Sequence, residues 1–357
     1  MSEFKPGLEG VVAFETEIAE PDRDGGALRY RGVDIEDLVG AVPFEKVWGL
    51  LVDETPEPGL PAAEELGEMR ITGDGPADLQ IQTARLGAAW RLGQLIDIDD
   101  EQAKEDLRRL SAAFITIAAR SARVADGKTD VVPADIVAGG KTTAERFLLE
   151  WRGEVNPIHA QAIDTYWICT AEHGLNASTF TARVVASTGA DCAATLSAAV
   201  GALSGPLHGG APARVLPMLD AAAAADSVEE YVVGLLDRGE RMMGFGHRVY
   251  RAEDPRARLL RGTAKELGSP RFEVAEELER VALAELHRRK PDRVLATNVE
   301  FWSAVVLDVA EVPPALAPAM FACSRTAGWS AHILEQKRLG RLVRPSAKYV
   351  GPGPRPL

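Results

Sequence analysis

Apolar residues return at alternating steps of three and four between Glu105 and Gly127, where Leu107, Leu110, Phe114, Ile117, Ser121 and Val124 share one face. That period predicts a long helix buried along one side, with Gly127 placed to end it. A second helix is predicted where Glu273, Glu276, Glu277 and Glu279 precede His287, Arg288, Arg289 and Lys290. Acids at the start and bases at the end complement a helix dipole, and Pro291 stops the run. This charge run reads as a solvated face. Alanines 221 to 225, set among Val215, Leu216, Met218, Leu219 and Val228, read as tight helix packing. Only the beginning looks like strand: GVVAFETEI and ALRYRG are short runs rich in β-formers on either side of the turn-rich PDRDGG. No fixed-period repeat is visible. The chain therefore reads as mostly α, with breaks near SGPLHGGAP (204–212) and EVPPALAP (311–318) that bracket a candidate inserted domain.

Composition narrows the class. The 357 residues are 46% apolar and 26% charged, enough for a large core and two domains. A net charge of −13 argues against a nucleic-acid or anionic-membrane surface, which would need a net basic face. Cys169, Cys192 and Cys323 sit in apolar, helical contexts without metal-ligand spacing and read as buried, reduced thiols. MSEFKPGLEG lacks a secretory pattern, and no uncharged apolar run reaches membrane-span length, so a soluble, cytoplasmic protein is expected.

Against that acidic background, GFGHRVYRAEDPR (244–256) sets His247 between a Gly-Phe-Gly turn and three arginines, Arg248, Arg251 and Arg256. Glycine permits close backbone approach, histidine moves protons near neutrality, and arginine grips carboxylate or phosphate. His208, in SGPLHGGAP, follows one helical run and precedes another. The positive end of the following helix favours a neutral imidazole there, able to donate to a carbonyl oxygen without carrying charge. His173 lies in AEHGLNASTFTAR, where Gly174 ends one helix and Asn176 or Ser178 caps the next. Glu300, between Val299 and Phe301 with Trp302 following, would be a stronger base if desolvated. Arg325 in CSRTAG and Arg344 in LVRPSAKYVG, each taken alone, read as surface residues.

In order and spacing, HGLNASTFTAR, GPLHGG, GFGHRVYR with its following DPR, and the NVEF context resemble the citrate synthase family, from GLEGVVAFETEI almost to the C-terminus. The resemblance implies an all-α fold in which a large domain (1–210 and 313–357) and a small domain (211–312) close over a cleft. It implies a homodimer and the condensation of acetyl-CoA with oxaloacetate, with no metal and no cofactor. Carried over by motif, His208 would bond the thioester carbonyl, Glu300 would take a proton from the neighbouring methyl group, and His247 would polarise the ketone of oxaloacetate. His173, Arg256 and Arg325 would hold the oxaloacetate carboxylates, with Arg344 supplied by the partner subunit. Arg251 would meet a CoA phosphate; Gly244, Phe245, Gly246 and Asn298 would line the CoA site. Arg248 takes no matched role and is expected to face solvent.

Two positions depart from the family pattern. Glu300 stands where aspartate is usual, and its extra methylene moves the carboxylate by about 1.5 Å. An uncompensated misplacement of roughly 1 Å can cost on the order of 10²-fold, so a local retraction of Glu300 is expected. Pro212 stands where asparagine is usual after HGGA. The extra N-terminal domain of the large NADH-regulated relatives is not matched, so a plain dimer is the expectation. Two other functions fit the motifs: a 2-methylcitrate synthase using propionyl-CoA, and a non-catalytic sensor of CoA or oxaloacetate. One methylene in an apolar pocket is worth about 1–3 kcal/mol, too little for motifs to separate the two synthases.

Overall fold

A computed structural model describes the chain except residues 1–3, 9, 23–25, 210–213, 247–252, 293–294 and 357. The predicted N-terminal strands survive only in part. GVVAFETEI is irregular, and pairing starts just beyond it: β1 (Ala19–Pro21), β2 (Leu28–Tyr30) and β3 (Val33–Asp34) form a small antiparallel sheet in the order β1-β2-β3. Its register pairs Ala19 with Tyr30 and Arg29 with Asp34. The two ladders hold only three and two paired positions, too short for the β-forming composition upstream to be used.

Among the described residues the rest is helical: α1 (Ile35–Leu38), α2 (Phe44–Val52), α3 (Gly75–Trp90), α4 (Asp100–Ala125), α5 (Ala134–Ala138), α6 (Thr143–Arg152), α7 (Pro157–Thr170) and α8 (Ala177–Ala186). There follow α9 (Cys192–Leu203), α10 (Val215–Ala224), α11 (Val228–Asp237), α12 (Pro255–Glu266), α13 (Phe272–Arg289), α14 (Val299–Val309) and α15 (Ala317–Leu339). The periodic segment forms α4, with Leu107, Leu110, Phe114, Ile117 and Ser121 buried and Asp99 capping its start through the Gln102 amide at 2.8 Å. The acid-to-base run forms α13. One member corrects the solvated-face reading: Glu279 is buried and accepts a hydrogen bond from Trp302 Nε1 at 2.9 Å. A buried indole N–H needs an acceptor, and the carboxylate supplies it.

The core is organised around α15, which packs on α2, α4, α7 and α8 and is buried on every side from Ala322 to Leu334. It is not an apolar helix. Ser324, Arg325, Thr326, Ser330, His332 and Gln336 are all enclosed with it, and burying them is affordable only where partners wait. The three cysteines are buried and free. No helix among the described residues is long and apolar enough to cross a membrane.

Candidate active site

Helix ends bring the candidate residues together. After α7 ends at Thr170 the chain runs past α15 as Ala171, Glu172 and His173, turns at Gly174 with φ +68°, and enters α8 at Asn176. Asn176 Oδ1 accepts from the Ser178 and Thr179 amides at 3.1 and 3.0 Å, the cap expected from sequence. The sheet fixes this segment from its other side: buried Tyr30 donates to the Ile168 and Glu172 carbonyls at 3.0 and 3.1 Å. His173 is buried at the turn.

His208 follows α9 in a tight turn in which the Gly209 amide reaches back to the Leu203 carbonyl at 2.8 Å. Its Nε2 lies 2.9 Å from Ser178 Oγ and accepts from the Ser178 amide at 3.4 Å. Because an amide can only donate, the ring hydrogen belongs on Nδ1, which leaves a neutral donor on the opposite edge. Trp329 Nε1 donates to the same hydroxyl at 3.3 Å and holds it in place. Burial, and then the charge of Arg325, push His208 down to about 4. The neutral state expected from sequence fits this downward shift, whose causes are burial and the neighbouring Arg325 guanidinium.

Glu300 sits in the first turn of α14, with its amide capped by Asn298 Oδ1 at 3.0 Å. Burial raises its carboxyl to about 7, with Asp254 adding to the rise and Arg256 and Asn298 opposing it. Arg256 opens α12 and is gripped by Asp254 at both ends, Nε to Oδ1 at 2.9 Å and Nη2 to Oδ2 at 2.7 Å. Asp254 also accepts the Arg256 and Val299 amides at 3.0 and 3.1 Å, so one buried carboxylate ties the starts of α12 and α14 together. Arg325, a surface residue when read alone and a carboxylate partner by the resemblance, is only 2% exposed; its Nε donates to the Thr170 carbonyl at 3.0 Å and its guanidinium lies over Phe321 at 4.7 Å. The reason is α15, whose burial on all sides leaves no solvent face.

The Gly-Phe-Gly turn is zipped to the residues before Glu300. Gly246 N–H donates to the Ala296 carbonyl at 2.8 Å, Asn298 N–H to Gly244 at 2.9 Å, and Phe245 bridges Thr297. Gly244 has φ +86°, and a Cβ there would fall 2.6 Å from that of Phe301; a side chain is excluded twice over. Asn298, matched to the CoA site, spends both ends of its amide here: Oδ1 on Glu300 and Nδ2 on the Gly246 carbonyl at 3.0 Å. His247, Arg248 and Arg251 lie outside the described residues, as does Pro212. Arg344 is exposed in the irregular segment after α15 and is not brought to the cluster by any described contact.

Residues that motif reading passed over hold the site together. Asp254 had a usable signal, an aspartate before proline at a helix start. Ser178, weighed only as a helix cap, and Arg183 had no signal beyond their place in HGLNASTFTAR, and Glu172 and His332 carry no local signal.

The family described as citrate synthase, C-terminal domain, matches residues 7–346. A protein of Mycobacterium tuberculosis provisionally named citrate synthase 2 is 61% identical over 353 residues, covering 99% of this chain and 94% of its own length. A 2-methylcitrate synthase of Shewanella oneidensis is 33% identical over 367 residues, covering 98% of this chain and 95% of its own. Among solved structures, citrate synthase of the archaeon Thermoplasma acidophilum, in ternary complex with carboxymethyl coenzyme A and oxaloacetate, superposes with a TM-score of 0.86 at 26% identity, covering 100% of this chain and 98% of its own.

Proposed function

Because this chain belongs to the citrate synthase family, an enzyme family with a helical two-domain fold, we propose that it condenses acetyl-CoA with oxaloacetate and hydrolyses the product thioester to citrate and CoA. The observation that carries this reading is the presence, around the same arginines, of a half-buried histidine held neutral, His208 beside Arg325, and a carboxyl raised to about 7, Glu300 beside Arg256. Removing a methyl proton beside a thioester moves charge onto the carbonyl oxygen, so a base and a positioned donor must act together. Glu300 takes the proton while His208 Nδ1–H donates to that oxygen. The resulting enol attacks the ketone carbon of oxaloacetate, and His247 delivers the proton to the new alkoxide. Water then cleaves the thioester, giving a carboxylate and the free thiol of CoA.

A dicarboxylate enclosed in a protein must be paired, and Arg256, Arg325 and His173 supply the partners. Arg344, exposed in its own chain, reaches the site of a second subunit in a homodimer. The CoA phosphates meet Arg251 beside the Gly244–Gly246 turn. The small domain spans 211–312 and the large domain 1–210 and 313–357; their closure keeps water out until the carbon–carbon bond has formed. No metal or cofactor takes part in this scheme, and the three buried free thiols suit a reducing, cytoplasmic setting.

The similarity to a 2-methylcitrate synthase makes propionyl-CoA the second acyl donor to consider. The two are separated by measuring CoA release with oxaloacetate and each acyl-CoA in turn. We expect kcat/KM to favour acetyl-CoA; a preference for propionyl-CoA would reverse the assignment. Release from neither would point to a sensor and overturn both.

A further inference from the structure

One buried carboxylate beside the acid-holding cluster has no part in the chemistry above. Along α15, Arg325, Gly328 and His332 share a face, and the segment from Thr170 to Glu172 runs along it in step. Arg325 Nε donates to the Thr170 carbonyl at 3.0 Å, the Gly328 amide to the Ala171 carbonyl at 3.2 Å, and His332 Nε2 to Glu172 Oε1 at 3.2 Å. A Cβ at Gly328 would lie 2.0 Å from Glu172 Oε2, so the carboxylate occupies a notch that only glycine leaves open.

Glu172 is 0% exposed; its carboxyl is met by His332 and the His173 backbone amide, and among the described residues no side chain hydrogen-bonds its Oε2. His332 is locked behind it: buried Arg183 donates to Nδ1 at 3.0 Å, which puts the ring hydrogen on Nε2, facing Glu172. Arg183 is in turn held by Gln336 at 3.0 Å and by Glu335, and lies over Phe14 at 4.1 Å. Burial works to raise the carboxyl, yet His332 first, then Arg325 and the His173 backbone amide, keep it below its ordinary value, so it is an anion. An enclosed anion is costly unless charge balances it, and beyond His332 the cation acting on it is Arg325, three residues before Gly328 on the same face of α15.

We propose that Glu172 is the resident counter-anion of the acid-holding cluster: seated in the Gly328 notch between Arg325 and His332, it balances Arg325 in the empty site and competes with the incoming dicarboxylate. This rests on the reading that the cluster binds oxaloacetate. Glu172 then acts as a positioning and affinity-setting residue that weakens acid binding and eases release. Its removal should do what loss of a merely structural residue would not, namely tighten binding.

The test is titration of oxaloacetate into the full-length wild-type, Glu172→Gln and Glu172→Asp chains by calorimetry. Glu172→Gln should lower the oxaloacetate Kd on the order of tenfold, about 1.4 kcal/mol. The KM for oxaloacetate should fall with it while that for acetyl-CoA holds. Glu172→Asp, which keeps the charge, should stay within about twofold of wild type. An unchanged or raised Kd in Glu172→Gln overturns the proposal. Should that variant not fold alone, saturating oxaloacetate should restore it by supplying the missing anion, and failure to do so also overturns the proposal. Wild-type protein that binds no oxaloacetate would overturn the reading of the site itself, and this inference with it.

Discussion

The acid limb of the rate profile should be that of Glu300. Its carboxyl rises from 4.5 to about 7, mainly by burial, which is about 3 kcal/mol of lost preference for the charged form. A base must be ionised to accept a proton. At pH 6 a group titrating near 7 is roughly 9% ionised and at pH 8 roughly 91%, so kcat/KM should climb about tenfold between them. His208, pushed down to about 4, stays neutral throughout and adds no limb in that window. Following the loss of thioester absorbance, which does not depend on thiol ionisation, gives the profile directly. Asp254 raises Glu300 and Arg256 lowers it, so Asp254→Asn should move the limb to lower pH. A rate flat from pH 6 to 8, or the same limb persisting in the residual activity of Glu300→Gln, would refute the assignment.

Ser178→Ala removes the hydroxyl at 2.9 Å from His208 Nε2; kcat should fall on the order of tenfold with oxaloacetate affinity unchanged, checked by steady-state kinetics beside calorimetry. Asp254→Asn should also cost about 3–5 kcal/mol in urea unfolding, because the buried Arg256 guanidinium loses its two bonds to the Asp254 carboxylate; a loss below about 1 kcal/mol would mean the site relaxes around it. Gly244→Ala meets both a φ of +86° and the Phe301 side chain, so a loss of about 1–3 kcal/mol is expected, with the Glu300 helix start displaced and turnover reduced. Mixing Arg344→Ala with His247→Ala chains should recover activity if each site borrows Arg344 from its partner, and no recovery would place Arg344 in its own subunit.

Local rules reached the parts of this molecule that local forces decide. The three-and-four spacing of α4, the Asn176 cap and the Gly174 turn follow from neighbours along the chain, and each is found where expected. The first strand moved because pairing partners, not β-forming composition, set where a ladder begins. Arg325 looked like a surface residue when taken alone because a helix buried on all sides has no polar stripe to mark its inner residues; only motif order placed it in the cluster. Glu279 escaped because its partner, Trp302, lies on another helix. Of the site, motif order proposed the histidines, Glu300 and the arginines, whereas the contacts of Asp254, Ser178 and Glu172 became visible only when separate helix ends met.

The central claim is that Glu300 and His208 together activate an acyl thioester toward an oxo acid held by the arginines. The direct measurement is CoA release by wild-type and Glu300→Gln protein, with acetyl-CoA alone and with oxaloacetate, and with the product identified by mass. The account predicts release only when both substrates are present, citrate formed in equal amount, and a loss of 10²-fold or more in Glu300→Gln, on the order expected for a general base. Release without oxaloacetate, or undiminished turnover in Glu300→Gln, would contradict it.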